Sequence, residues 1–130
     1  MKDLLWDDFE NTVSDVLIRH KSILDIMAKL EESNAKINRA LTKSVTACGC
    51  IKINGEKQDY TKESIEEIKK NLKTHVEGTL CDNCKEKIEE ELGDHLFYIA
   101  ALSTTLDLNI YDSIIKKYKE LKALGIYSML

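Results

Sequence analysis

The chain's four cysteines fall into two short pairs, Cys48-x-Cys50 and Cys81-x-x-Cys84, about 30 residues apart, and the pattern uses every cysteine present. Four thiolates complete the tetrahedral shell of a structural zinc ion. A closed shell leaves no position for an activated water, so such a metal would hold structure and would not catalyse. Two other readings stay open: four reduced, unligated thiols, and redox chemistry at Cys81-x-x-Cys84, including a switch in which oxidation releases the metal. His75 and His95 lack chelating spacing to a cysteine. Together with His20 they read as surface or packed side chains.

A second set of residues is acidic. Glu91 and Asp94 stand three apart in Glu89-Glu90-Glu91-Leu92-Gly93-Asp94, which on a helix brings both carboxylates to one face. Oxygen ligands so placed suit a hard divalent cation such as magnesium, held together with substrate phosphates. The bland alternative is a solvated helix face. Upstream, Leu30-Glu31-Glu32-Ser33-Asn34-Ala35 offers a further pair of carboxylates in an amphipathic frame, and Glu63-x-x-Glu66 offers another.

The segment from Glu91 through Asp94, His95, Leu96, Phe97 and Tyr98 to Leu102 resembles the second motif of the MazG-like all-α nucleoside triphosphate pyrophosphohydrolases, Glu-x-x-Asp followed by an apolar run. In that family a preceding helix carries Glu-Glu-x-x-Glu. Here Glu31 and Glu32 match its start, and Ala35 replaces its last glutamate. The resemblance covers residues 20–47 and 82–125 and implies a magnesium site built from Glu31, Glu32, Glu91 and Asp94. It further implies conversion of a nucleoside triphosphate to a monophosphate and pyrophosphate, and a homodimer. Loss of a carboxylate at Ala35 lowers the charge available for magnesium, which favours the alternative of a catalytically degenerate, zinc-stabilised nucleotide sensor or protein-interaction adaptor.

The elements that must position these residues read as helices. Proline is absent and only five glycines occur, so the strongest helix breakers are scarce. Apolar residues recur at three and four from Leu4 to Val45, with a bend expected at Arg19, His20, Lys21 and Ser22. Cys48-Gly49-Cys50 ends that pattern, and residues 51–55, with their Asn-Gly turn signal, read as an extended arm that fits one strand of a hairpin. Thr61 is placed to cap a helix over residues 62–73, and Gly78 reads as loop. A long helix is expected from Asp82 or Asn83 to about Leu106, and a last one follows through Ile110, Ile114, Ile115, Tyr118, Leu121 and Leu124, with Gly125 at its C-terminal cap. The expected fold is all-α: a single domain over residues 1–130, an antiparallel bundle of about four to five helices, with residues 48–84 as a zinc-binding insertion.

At 130 residues the chain can bury roughly two-thirds of its unfolded surface. Its net charge of −4, from 19 basic and 23 acidic residues, argues against a nucleic-acid backbone as partner. Residues 1–20 place acidic groups where a signal peptide needs a basic start, and the apolar run 96–108 falls short of the about 20 residues needed to span a bilayer. These features lead to the expectation of a cytoplasmic protein with no membrane partner. Ile18, Leu24, Tyr98, Tyr111 and Tyr127 lie off the main apolar stripes and are the residues expected at a homodimer interface.

Overall fold

The computed structural model describes the backbone of residues 2–129 and the side chains of residues 5–127. The side chains of Leu4, first in the expected apolar stripe, and of residues 128–130 lie outside that description. The described chain is mostly helical: α1 (Lys2–Val16), α2 (Ile23–Lys43), a π-helical turn (Ser44–Cys48), β1 (Ile51–Ile53), α3 (Ile65–Asn71), β2 (Val76–Gly78), α4 (Asp82–Thr105), α5 (Ile110–Leu124) and a closing 3-10 turn (Gly125–Met129). It divides into two compact units, residues 1–34 with 92–130, and residues 35–91.

In the first unit the chain breaks between α1 and α2 where the polar cluster predicted it. Ser22 supplies a start signal there, with its hydroxyl accepting the Leu24 N–H at 3.3 Å and its carbonyl the Ile26 N–H at 2.9 Å. Val13, Leu17, Ile26, Ala100 and Ala101 are buried together, with Phe9, Leu30, Phe97 and Leu102 packed against them. Two adjacent alanines on α4 leave room for the larger side chains opposite. Polar links close over this core: Ser33 Oγ lies 2.7 Å from His95 Nδ1, and Ser103 Oγ donates to the Leu108 carbonyl at 2.6 Å. His95 is thus a packed structural histidine, as the sequence suggested. Asn109 caps α5 by accepting the Tyr111 N–H at 2.9 Å, yet no residue of that helix is buried. Of its apolar stripe, Ile114, Tyr118, Leu121 and Leu124 are exposed and Ile110 and Ile115 half-buried.

In the second unit the extended arm finds its partner late in the sequence. β1 and β2 run antiparallel with Ile51 opposite Gly78, Lys52 opposite Glu77 and Ile53 opposite Val76. Gly78, read as loop, is therefore strand, because backbone pairing with β1 overrides its weak local preference. Its φ is +87°, and a Cβ there would meet the Cys50 carbonyl oxygen at 2.6 Å, so only glycine fits. The expected helix over residues 62–73 is also shorter. Thr61 instead donates its hydroxyl to Asp59 in a tight local turn, and Ser64 caps α3 by accepting the Glu67 N–H at 3.2 Å. Ala40, Ser44, Ile51 and Glu91 are the unit's only fully buried positions among the described residues, and two of the four are polar. No helix among the described residues is long and apolar enough to cross a membrane.

Candidate metal centre

The turn that ends α2 widens from α to π over Ser44–Cys48 and stops at Gly49, whose φ of +80° reverses the chain. Ser44 anchors the turn. Its buried carbonyl accepts the Gly49 N–H at 2.9 Å and the Cys50 thiol at 3.8 Å, and its hydroxyl donates to the Ala40 carbonyl at 3.0 Å. β1 follows at once, and its ladder to β2 returns the chain to Cys81 at the N-terminal edge of α4. Cys48 and Cys50 thus come from a turn and Cys81 and Cys84 from a helix start, brought together by a three-residue ladder.

The four sulfurs lie within 4.8 Å of one another and form a cluster that can hold a metal ion such as zinc. Cys48 Sγ and Cys81 Sγ are 3.7 Å apart. That is far from the roughly 2.05 Å of a disulfide. It matches the edge of about 3.8 Å of a tetrahedron with metal–sulfur bonds of about 2.3 Å. All four are free thiols, Cys48 exposed and the others half-buried.

The thiols perturb one another. Cys81 is drawn down to about 7, first because the Cys84 backbone N–H donates to its sulfur at 3.4 Å, with further hydrogen bonds from the Cys84 and Cys48 thiols. The start of α4 adds a favourable helix dipole. Cys48 is raised, chiefly through its hydrogen bond to Cys81. At Cys84 a hydrogen bond from Ser44 works downward, but Cys81, burial, Cys50 and Cys48 outweigh it and push the thiol up to about 12. Thiols this close cannot all ionise unless a cation joins them, and a divalent metal supplies the missing charge.

The acidic residues stand differently. Glu31, Glu32 and Asp94 are exposed, and Glu32 Oε2 accepts from Lys29 at 2.9 Å. Glu91 is buried, with Oε1 on Lys87 Nζ at 3.0 Å. Glu63, just before α3, and Glu66, in its first turn, are both exposed. Among the described residues the cysteines are the one group of three or more potential ligands whose donor atoms converge. Ser44 carries no mark in the sequence and Gly78 reads there as loop, yet both shape the cluster through backbone geometry that residue type alone does not announce. Compared with known protein families, curated proteins and solved structures, the chain matches none of them.

Proposed function

We propose that the chain is a zinc-stabilised, MazG-like nucleotide-binding protein in which Cys48, Cys50, Cys81 and Cys84 hold a structural zinc. The convergence of four sulfurs within 4.8 Å of one another, with Cys48 and Cys81 at 3.7 Å, carries the zinc assignment. The nucleotide assignment rests on the Glu-x-x-Asp motif at Glu91 and Asp94, which falls within the continuous helix α4 and runs into the buried Ala100 and Ala101 as the resemblance implies. Ala35 and the exposed, separately engaged Glu32 favour a sensor or adaptor over an enzyme. Three exposed carboxylates give magnesium weak purchase unless a triphosphate gathers them.

The catalytic reading keeps one specific support, the three-residue spacing of Glu91 and Asp94 within the continuous helix α4, of which Glu91 is buried and Asp94 exposed. In it, Glu31, Glu32, Glu91 and Asp94 hold magnesium, which stabilises charge on the phosphoryl group under attack by water, giving a monophosphate and pyrophosphate. The exposed stripe of α5, together with Ile18, Leu24 and Tyr127, supports a homodimer in either case.

Pyrophosphate release from a panel of nucleoside triphosphates, with and without magnesium, by protein of measured zinc content separates the readings. Release that needs magnesium and disappears in Asp94→Asn, with zinc retained, establishes the enzyme. Nucleotide binding without release establishes the sensor or adaptor. Neither binding nor release removes the nucleotide assignment and leaves the zinc assignment standing.

A further inference from the structure

The four thiols of the cluster are not equally open to solvent. Cys48 is exposed, and the other three are half-buried. Cys48 ends the π-helical turn, whereas Cys50 leads directly into β1 and has its thiol on the buried Ser44 carbonyl at 3.8 Å. Cys81 sits just before α4 and Cys84 in its first turn. A reagent arriving from solvent therefore meets Cys48 first. The sulfur 3.7 Å away from it is that of Cys81, which lies 33 residues on and belongs to the other chelating pair.

Cys48 also borders a cleft of about 490 Å³, whose lining includes Lys36, Arg39, Lys43 and Lys87 and belongs wholly to the second unit. Thiols that react with oxidants are those that are partly exposed in positively charged surroundings. A peroxide that attacks through this cleft must shed hydroxide, and a cationic wall favours that departure. Exposure, charge and a neighbouring sulfur thus coincide at one of the four cysteines.

We propose that Cys48 and Cys81 form a peroxide-sensitive pair, whose oxidation to a disulfide expels the zinc and loosens residues 35–91. The inference rests on the zinc assignment and is independent of the nucleotide assignment. The Cys48 thiolate attacks one peroxide oxygen, the O–O bond breaks, and Cys48 becomes a sulfenic acid as hydroxide leaves. The Cys81 thiolate then attacks the Cys48 sulfur, the S–O bond breaks, and a second hydroxide leaves. The two sulfurs give up one electron each, and the peroxide takes both. With two protons from solvent it becomes two waters.

Cys50 and Cys84 alone cannot close a tetrahedral shell, so the metal is lost. The second unit buries only Ala40 and Ile51 among its apolar side chains and has little else to hold it. The new bond ties the turn after α2 to the start of α4 and keeps residues 49–80 a closed loop while the metal is out. Reduction then returns the thiolates to the same neighbourhood.

The test starts from reduced protein of measured zinc content. Absence of bound zinc overturns the zinc assignment and this inference with it, whereas bound zinc that peroxide fails to release overturns this inference alone. Hydrogen peroxide is added in the presence of a chromogenic zinc indicator, and the products are mapped by peptide mass spectrometry. One zinc is released for each Cys48–Cys81 disulfide formed, and a phosphine reductant with added zinc restores the starting protein. Amide exchange shows protection lost across residues 35–91 and kept in the core of the first unit. Dimedone, a trap for sulfenic acids, labels Cys48 when present during oxidation and lowers the yield of disulfide. All of these measurements use the unsubstituted chain, so none depends on a cysteine variant that folds. A disulfide within either pair, Cys48 with Cys50 or Cys81 with Cys84, overturns the proposal, as does dimedone label at Cys81 or Cys84 in place of Cys48.

Discussion

Residues 1–34 with 92–130 and residues 35–91 are of comparable size and are held by different physics. The first unit buries Val13, Leu17, Ile26, Ala100 and Ala101 against one another and surrounds them with four half-buried apolar side chains. The second buries only Ala40 and Ile51 among its apolar residues and gathers four sulfurs instead. A segment of this size cannot offset its chain entropy with two buried apolar side chains. Cross-linking through a metal lowers the entropy of the unfolded segment and supplies binding energy that the missing core does not. The comparison teaches where a metal would matter most: the four sulfurs gather in the stretch of chain that lacks a hydrophobic core.

Removal of the metal breaks this comparison most sharply. Chelation should unfold or loosen residues 35–91, since structural zinc contributes on the order of 10 kcal/mol to such folds, while the core of the first unit persists. Amide hydrogen exchange with and without chelator checks it, and equal protection of both units in the metal-free protein would remove the zinc assignment. Acid should act in the same direction. In the metal-free cluster Cys81 lies at about 7, below its ordinary 9.0, so its contribution to folding is complete above 9.0 and is lost as pH falls through about 7. Cys84, held at about 12, and Cys48, also raised, must shed protons whenever metal binds. Zinc affinity therefore drops with falling pH, and drops more steeply below about 7, where Cys81 must give up its proton too. Competitive zinc titrations between pH 6 and 8.5 measure that change of slope.

The converse experiment sharpens the contrast from the other side. Ile26→Ala opens a cavity at a fully buried position and should cost roughly 2–5 kcal/mol in denaturant unfolding. Zinc stoichiometry should stay unchanged, because the residue belongs to the unit that does not depend on metal. The smallest effect is expected at Gly78→Ala. A methyl group at 2.6 Å from the Cys50 carbonyl, on a backbone with φ of +87°, must push β2 away from β1. The cost is about 1–3 kcal/mol, and it should appear as weaker zinc affinity with the first unit's stability untouched.

Much of this was legible beforehand. Helix periodicity marked the break before Ile23, the long α4 and α5, because a period near 3.6 with few glycines and no proline leaves little alternative. The caps of α5 were not so marked, since Asn109 caps its start and Gly125, with ψ of −138°, is not the left-handed cap expected. The paired cysteines announced a four-sulfur cluster. Less legible were the boundaries of α3, where Ser64 and not Thr61 supplies the cap, and the strand at Val76–Gly78, whose identity depends on a partner far back in the chain. The α5 stripe marked an amphipathic helix and is mostly exposed, since periodicity reports that a face is apolar without saying what covers it.

Residue type and spacing by themselves determined that the chain is helical and that its thiols form two chelating pairs, because both are local properties of a few consecutive residues. Tertiary structure alone decided that the pairs meet with their sulfurs within 4.8 Å of one another, that Glu91 is buried while Asp94, three residues on, is exposed, and that Lys36, Arg39, Lys43 and Lys87 line one cleft. Those outcomes depend on which surfaces pack together. Packing is settled by contacts between residues distant in the chain, whose energies no local pattern records.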